Sequence, residues 1–147
     1  MRGWIVRIAI VAAIALGAFI FRDRISSNAG DLSVGDCFDE PAGLDEVKDV
    51  QHHPCTESHT SEVVFVSDHP GGNDAYPTET QFLEFVQTQC VPAFNAYTGK
   101  DFNTDTELDM GYFFPTADGW KSGDHEMICY VIRLDKAPTT QSVKAAP

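Results

Sequence analysis

Cysteines and histidines are the residues of this 147-residue chain whose chemistry is most distinctive. The four cysteines are Cys37, Cys55, Cys90 and Cys129. They contain no C-x-x-C pair, which argues against a thioredoxin-like redox centre and against a zinc ribbon. Cys55 and His59 have C-x-x-x-H spacing, but a nucleophilic thiol must stay free and ionised. An oxidising compartment, indicated below, opposes that dyad.

Histidines could instead bind a transition metal. Four of the five lie close together in the sequence with Glu62, and they are His52, His53, His59 and His69. Imidazole suits zinc and copper. The spacing has no fixed register, however, and Cys55 cannot ligate a metal from within a disulfide. We therefore expect no transition-metal centre.

An acidic stretch offers a second type of metal ligand. The sequence from Asp101 to Asp109 alternates as D-x-N-x-D-x-E-x-D, which resembles the oxygen positions of a calcium loop. Its candidate ligands are Asp101, Asn103, Asp105 and Glu107. Thr106 stands where the sharp turn needs glycine, and Tyr112 where the bidentate glutamate belongs. These residues are weak calcium candidates, and we expect neither a bound metal nor a cofactor.

Motifs for nucleophilic, metal-assisted or phosphate chemistry do not occur. The chain contains no G-x-S-x-G, no H-E-x-x-H and no Walker A sequence. We expect a protein that is not an enzyme. Two alternatives stay open, a module that binds a metal ion or small ligand, and a hydrolase whose site follows no known motif.

A long apolar run precedes all of these residues. Trp4 to Phe21 is 18 positions broken only by Arg7, or about 27 Å of helix at about 1.5 Å per residue. This nearly matches a hydrocarbon core of about 30 Å. We predict a cytoplasmic stub and transmembrane helix over residues 1–24, with the later domain outside the cytoplasm. The alternative is a cleaved signal peptide, for which Ser27 to Ala29 offers small residues.

The exported part of the chain is acidic. Residues 31–147 hold six basic and twenty-one acidic side chains, a net charge of −15. This excludes nucleic acid as a partner and suits a protein with a basic surface. We predict a tether over residues 25–30, one domain over 31–135, and a flexible, Pro- and Thr-rich tail over 136–147.

Hydrophobic periodicity predicts an α+β fold with a mostly antiparallel sheet. The predicted strands are Leu32–Phe38, Glu46–Gln51, Glu62–Ser67, Leu108–Phe114 and Glu126–Leu134. The third is apolar on both faces and should be central. A capping box at Thr78 to Gln81 begins one long helix, which ends at Gly99 and is interrupted by Pro92.

Four cysteines allow three disulfide pairings. We favour Cys37–Cys55, which would join two early strands, and Cys90–Cys129, which would tie the long helix to the last strand. On the chain-entropy model the two loops are worth about 3 and about 4 kcal/mol. Such links matter in a domain of this size.

An ordered set of short motifs resembles the septum formation-related domain of actinobacterial envelope proteins. The set comprises VGDCF from Val34, P-C-x-x-x-H-x-x-E-V from Pro54, F-x-x-Y-x-G from Phe94, then Pro115, Trp120, Gly123-Asp124 and Cys129. Two positions depart from the usual pattern, with Ser58 in place of proline and His125 in place of arginine. The resemblance implies a link to cell division and the envelope, and it implies no reaction.

These observations together predict a non-enzymatic, single-pass protein of the cell membrane. Its extracytoplasmic domain is expected to be a protein-interaction module linked to septum formation. The expected partner is an envelope or divisome protein with a basic surface.

Overall fold

A β-branched run forms the central strand of the sheet. The computed structural model describes residues 26–41, 49–72 and 75–146, and the strands there are β1 Ser26–Asn28, β2 Cys37–Phe38, β3 Asp49–His53, β4 Ser61–Asp68, β5 Leu108–Phe113 and β6 Glu126–Arg133. Their order in the sheet is β1-β3-β2-β4-β6-β5, and every pairing is antiparallel. The predicted α+β class with an antiparallel sheet is confirmed.

One helical stretch connects β4 to β5. Thr78 accepts the Gln81 N–H at 3.4 Å and donates its own N–H to Gln81 Oε1 at 2.9 Å, which is the predicted capping box. The stretch comprises α1 Glu79–Phe85, a π-helical segment Val86–Cys90 and α2 Val91–Thr98. Gly99 ends it in the left-handed conformation, at φ 69°.

The π-helical segment that interrupts this helix lies before Pro92. Pro92 has no N–H to donate and its ring crowds the preceding turn. Wider π-helical hydrogen bonding before Pro92 accommodates both effects. The helix therefore continues in one stretch through the predicted break.

Alternation along β6 divides the apolar residues between two cores, as its period of two predicts. One face of the sheet packs on the helix through Val64, Phe82, Phe85, Val86, Cys90, Phe94, Leu108, Met127, Cys129 and Val131. On the other face, Leu32 from the segment that joins β1 to β2 packs with residues of the strands. This second core comprises Leu32, Phe38, Val50, Val63, Ile128, Tyr130 and Ile132.

Both favoured disulfides are present. Cys37 is bonded to Cys55 with their Cα atoms 5.3 Å apart. Cys90 is bonded to Cys129 with a Cα separation of 5.9 Å. The first closes the β2–β3 region, and the second fixes the helix to β6.

Several boundaries differ from the predictions. The strand expected over Leu32–Phe38 is shortened to β2, because a turn precedes it in which the N–H of Asp36 donates to the carbonyl of Ser33 and Gly35 has a φ of 95°. Ser26–Asn28 pairs with β3 inside the segment expected to be a tether. A short helix that was not predicted, α3 Ala117–Lys121, begins where Thr116 accepts the N–H of Gly119.

The predicted membrane helix lies outside the described residues, as does the start of the strand predicted over Glu46–Gln51. Within the described ranges, no helix has both the length and the apolar character needed to cross a bilayer. The stub, anchor and localisation stay predictions.

Candidate functional site

The residues of the P-C-x-x-x-H-x-x-E-V and F-x-x-Y-x-G motifs meet beneath the C-terminal segment of the chain. Glu62 lies at the beginning of β4, His59 lies two residues before that strand, and Tyr97 lies in the last turn of α2. Residues 139–145, here called the C-terminal strap, run across them. The site is therefore assembled from the sheet, the helix and the chain terminus.

Glu62 is the centre of the site. Its side chain is 1 % exposed although it carries a carboxylate. Oε1 accepts the hydroxyls of Tyr97 and Ser142, each at 2.6 Å, and Oε2 accepts the N–H of Val143 at 2.7 Å. Three donors around one buried carboxylate are the condition under which such burial is tolerated.

Tyr97 acts as a fixed donor in this arrangement. Burial of its ring raises the pKa of Tyr97, and the hydrogen bond to Glu62 and the charge of that carboxylate raise it further. The hydroxyl therefore keeps its proton and its bond to Glu62 throughout the physiological range. It is suited to holding the carboxylate and not to acting as a base.

Backbone hydrogen bonds hold both ends of the C-terminal strap. His59 and Thr139 exchange two, with N···O distances of 3.0 and 2.8 Å. Near the other end, the N–H of Ala145 donates to the carbonyl of Tyr97 at 2.9 Å. The predicted flexible tail over residues 136–147 is thus, as far as Ala146, a segment with specific contacts to the domain.

Side chains of the strap add an apolar and a cationic contact. Val143 packs against the core that includes the helix. The ammonium of Lys144 lies 5.6 Å from the centre of the Tyr97 ring, within cation–π range. Beside them, a Cβ added at Gly99 would approach Ala145 to 3.2 Å, so a small residue helps the strap to lie close to the helix end.

Two buried polar atoms near the beginning of β4 have no hydrogen-bond partner among the described residues. They are His59 Nε2 and Ser61 Oγ, each on a side chain that is 1 % exposed. The Ser61 side chain faces the second core, as its strand neighbour Phe38 does. His59 lines a small space of ≈ 10 Å³ under Thr139 and Val143. That is at the lower limit for one water molecule.

A tight turn sends the chain from β6 into the strap. Arg133 forms two hydrogen bonds to the Asp135 carboxylate, at 2.9 and 2.7 Å, and the N–H of Ala137 donates to the same group at 3.0 Å. The hydrogen bonds from Arg133 and Ala137 lower the pKa of Asp135 to about 2. Lys136 has a φ of 56° and is the one non-glycine residue of the described ranges in that region.

Next to this turn is a polar cavity. Its walls are Glu40, Thr60, Ile132, Arg133 and Lys136. It has room, ≈ 110 Å³, for a few water molecules. The ammonium of Lys136 is bound to Glu40 at 3.1 Å, so the cations around this cavity are already paired.

The acidic residues of the stretch that resembles a calcium loop form hydrogen bonds and ion pairs within the chain. Asp101 accepts the N–H of Asn103 at 2.9 Å, and Asp105 accepts those of Glu107 and Leu108 at 2.9 and 2.7 Å. Burial opposes ionisation, but these N–H groups and a nearby ammonium hold the pKa of Asp105 below its usual value.

That ammonium belongs to Lys100 and occupies the centre of the stretch. It lies 3.1 Å from Asp105 Oδ2 and 2.7 Å from Glu107 Oε2. The hydrogen bonds that this ammonium donates to Glu107 and Asp105 in turn raise the pKa of Lys100. A cation would have to displace it.

The histidines that lie close together in the sequence are distributed over separate environments in the fold. His53 binds Asp39 at 2.8 Å, and His69 packs among aromatic rings that include Trp120. His52 lies 4.0 Å from an Asp36 oxygen.

In the described ranges, the metal-type ligand atoms that converge are the sulfurs of Cys37 and Cys55 with Glu62. Those sulfurs are bonded to each other. The absence of a metal centre stays a prediction.

The C-terminal strap is the part of the candidate site that the sequence analysis missed. Its composition resembles that of a loose tail, and its partner Glu62 is 80 positions away from Ser142. One signal was available. A glutamate at the start of an otherwise apolar central strand must have buried donors, because an unpaired carboxylate there would be too costly.

Comparison with known proteins assigns the domain. The model of the septum formation family matches residues 34–146, which includes the strap. Neither a curated protein nor a solved structure matches the chain significantly. Because the match covers well over half of the sequence, this chain belongs to the septum formation family.

Proposed function

We propose that this protein is a non-enzymatic, single-pass membrane protein whose exported domain binds another envelope protein during septum formation. Family membership is the observation that carries the proposal, because the match extends over residues 34–146. That membership suggests a role in cell division.

Two features support a membrane-anchored, extracytoplasmic domain. The apolar run from Trp4 to Phe21 has the length of a span, and both disulfides require an oxidising compartment to persist. Only four residues separate Phe21 from β1, which begins at Ser26. At about 3.3 Å per residue, the domain in this arrangement lies within about 15 Å of the membrane surface.

The side chains that could act in catalysis are engaged within the fold, which supports binding over catalysis. All four cysteines are joined in disulfides, and both oxygens of Glu62 are engaged by donors from Tyr97, Ser142 and Val143. The charge of −15 over residues 31–147 favours a partner with a basic surface and an association that weakens with salt.

The proposal is tested by deletion and by capture. Cells lacking the protein should be elongated or misplace their septa, and wild-type protein should restore their length. Full-length protein should capture an envelope protein from detergent-solubilised membranes at low salt and release it at high salt. Normal division in the deletion strain contradicts the septal role. Turnover of an envelope substrate by the purified protein contradicts the non-enzymatic one.

Topology has a separate test. Alkaline phosphatase fused after Pro147 should be active, because the C-terminus is expected outside the cytoplasm. An inactive fusion would contradict the orientation. Release of a mature protein that begins at Gly30 would contradict the anchor.

A further inference from the structure

The groove beneath the C-terminal strap is rich in hydrogen-bond acceptors. Glu62 contributes a carboxylate, and His59 contributes an unpartnered ring nitrogen. His59 Nδ1 lies 2.8 Å from the carbonyl of Glu57, which can only accept, so Nδ1 is assigned the proton. In the neutral ring, Nε2 is then a bare acceptor, and His59 lines the space beneath the strap.

The strap satisfies only part of this set. It supplies the hydroxyl of Ser142 and the N–H of Val143 to Glu62. His59 Nε2 remains without a partner among the described residues. Because buried polar groups without partners are costly, a segment that brings additional donors would fit the groove better than the strap does.

The attachment of the strap is suited to release. One apolar side chain, Val143, reaches the core, whereas Ser142, Lys144 and Ala145 are exposed. Segments with few buried apolar contacts open at a lower free energy than the core does. At the turn before the strap, Lys136 holds a left-handed φ that an extended chain would relax.

The C-terminal residues and the rest of the domain carry net charges of opposite sign. Residues 31–135 carry four basic and twenty-one acidic side chains, a net charge of −17, whereas residues 136–147 carry two lysines and no acidic residue. A donor-rich, cationic segment is therefore what this surface attracts at long range.

We propose that the groove of His59, Glu62 and Tyr97 is the docking site for an extended, lysine-containing segment of the partner protein. The C-terminal strap occupies it as an internal competitor until the partner displaces it. Glu62 accepts hydrogen bonds from a backbone N–H and a neighbouring hydroxyl of this segment, and the Tyr97 ring forms a cation–π contact with its lysine. This inference rests on the proposed binding function and identifies its surface.

The test uses a labelled peptide with the sequence of residues 137–146 as the probe, and full-length protein in detergent. Val143→Pro removes the N–H that Glu62 accepts and should release the strap. Ala146→Pro is the matched control, since no contact of its N–H holds the strap. Trypsin sites at Lys136 and Lys144 report whether the strap is open.

Fluorescence anisotropy should show at least about tenfold tighter binding of the probe to Val143→Pro than to wild type or Ala146→Pro, because the groove is vacant in more molecules. Adding Glu62→Gln to Val143→Pro should remove most of this gain. Replacing the probe's serine by alanine leaves the protein untouched and should weaken binding about tenfold. In membrane capture, Val143→Pro should retain more partner than wild type.

A protein whose strap is open to trypsin but which does not bind the probe overturns the docking site. Concentration-dependent dimers of the wild type joined through their straps overturn it too, because a second copy would then be the occupant. Capture of an envelope partner that neither Glu62→Gln nor Val143→Pro alters overturns the groove and leaves the proposed function standing. Tight, Glu62-dependent binding of the probe together with normal division of the deletion strain would support the docking site and contradict the proposed septal function.

Discussion

Replacing Glu62 by glutamine should loosen the C-terminal strap and destabilise the whole domain. The carboxylate accepts three hydrogen bonds within 2.7 Å, and each bond to a charged group is worth about 1.5–3 kcal/mol. Glutamine keeps one acceptor oxygen but turns an amide N–H₂ toward a donor. The two hydroxyls can rotate to accept from it, whereas the N–H of Val143 cannot. We expect a net loss of about 2–4 kcal/mol in the free energy of unfolding.

A double-mutant cycle with Ser142→Ala locates the source of this loss. Ser142→Ala alone should cost about 1–2 kcal/mol, since the residue is exposed. The double variant should cost less than the sum by about 1 kcal/mol, because the two residues share one hydrogen bond. Thr140→Ala is the control, an exposed strap residue whose hydroxyl shows no hydrogen bond in the structure.

Urea denaturation of the oxidised protein gives the free energies, and tryptic cleavage after Lys136 and Lys144 reports the state of the strap. Glu62→Gln and Ser142→Ala should both increase the rate of cleavage, and Thr140→Ala should leave it unchanged. Stability of Glu62→Gln within about 0.5 kcal/mol of wild type, the range of neutral surface changes, would refute the reasoning. Equal effects of Ser142→Ala and Thr140→Ala would do the same.

Three further perturbations address other parts of the fold. Gly111→Ala should destabilise the domain by about 1–3 kcal/mol in urea, because the added Cβ would overlap the ring of Tyr130; an unchanged midpoint would contradict this. Replacing both Cys90 and Cys129 by serine should cost about 2–5 kcal/mol, and a thiol titration of the wild type that detects free cysteines would contradict the pairing. The pKa of Asp135 is lowered from 3.8 to about 2, so its stabilisation of the turn is present above pH 4 and is lost as the pH falls toward 2. NMR titration measures that pKa, and a value near 4 would contradict the assigned contacts.

Local signals were sufficient for the helix and the inner strands. The capping box at Thr78 and the left-handed Gly99 depend on residues within one turn, and each bounds the helix where expected. The alternation along β6 depends on the strand's own pleat. Such features can be read without knowing what the element packs against.

The groove could not be read in this way because its parts are distant in the sequence. Glu62, Tyr97 and Ser142 come from a strand, a helix and the chain terminus, and only the folded sheet brings them together. The strap contains one large aliphatic residue, Val143, so its composition indicated a loose tail. For β1, three residues without an apolar pattern carried no strand signal at all.

Proximity labelling in living cells tests the central claim most directly. A biotin ligase active outside the cytoplasm, fused after Pro147 through a flexible linker, should label membrane and envelope proteins concentrated at the division site. The set should include a protein with a basic extracytoplasmic segment, and that protein should be depleted when Glu62→Gln is introduced. Labelling of cytoplasmic proteins, or of envelope proteins without any enrichment at the septum, would contradict the account.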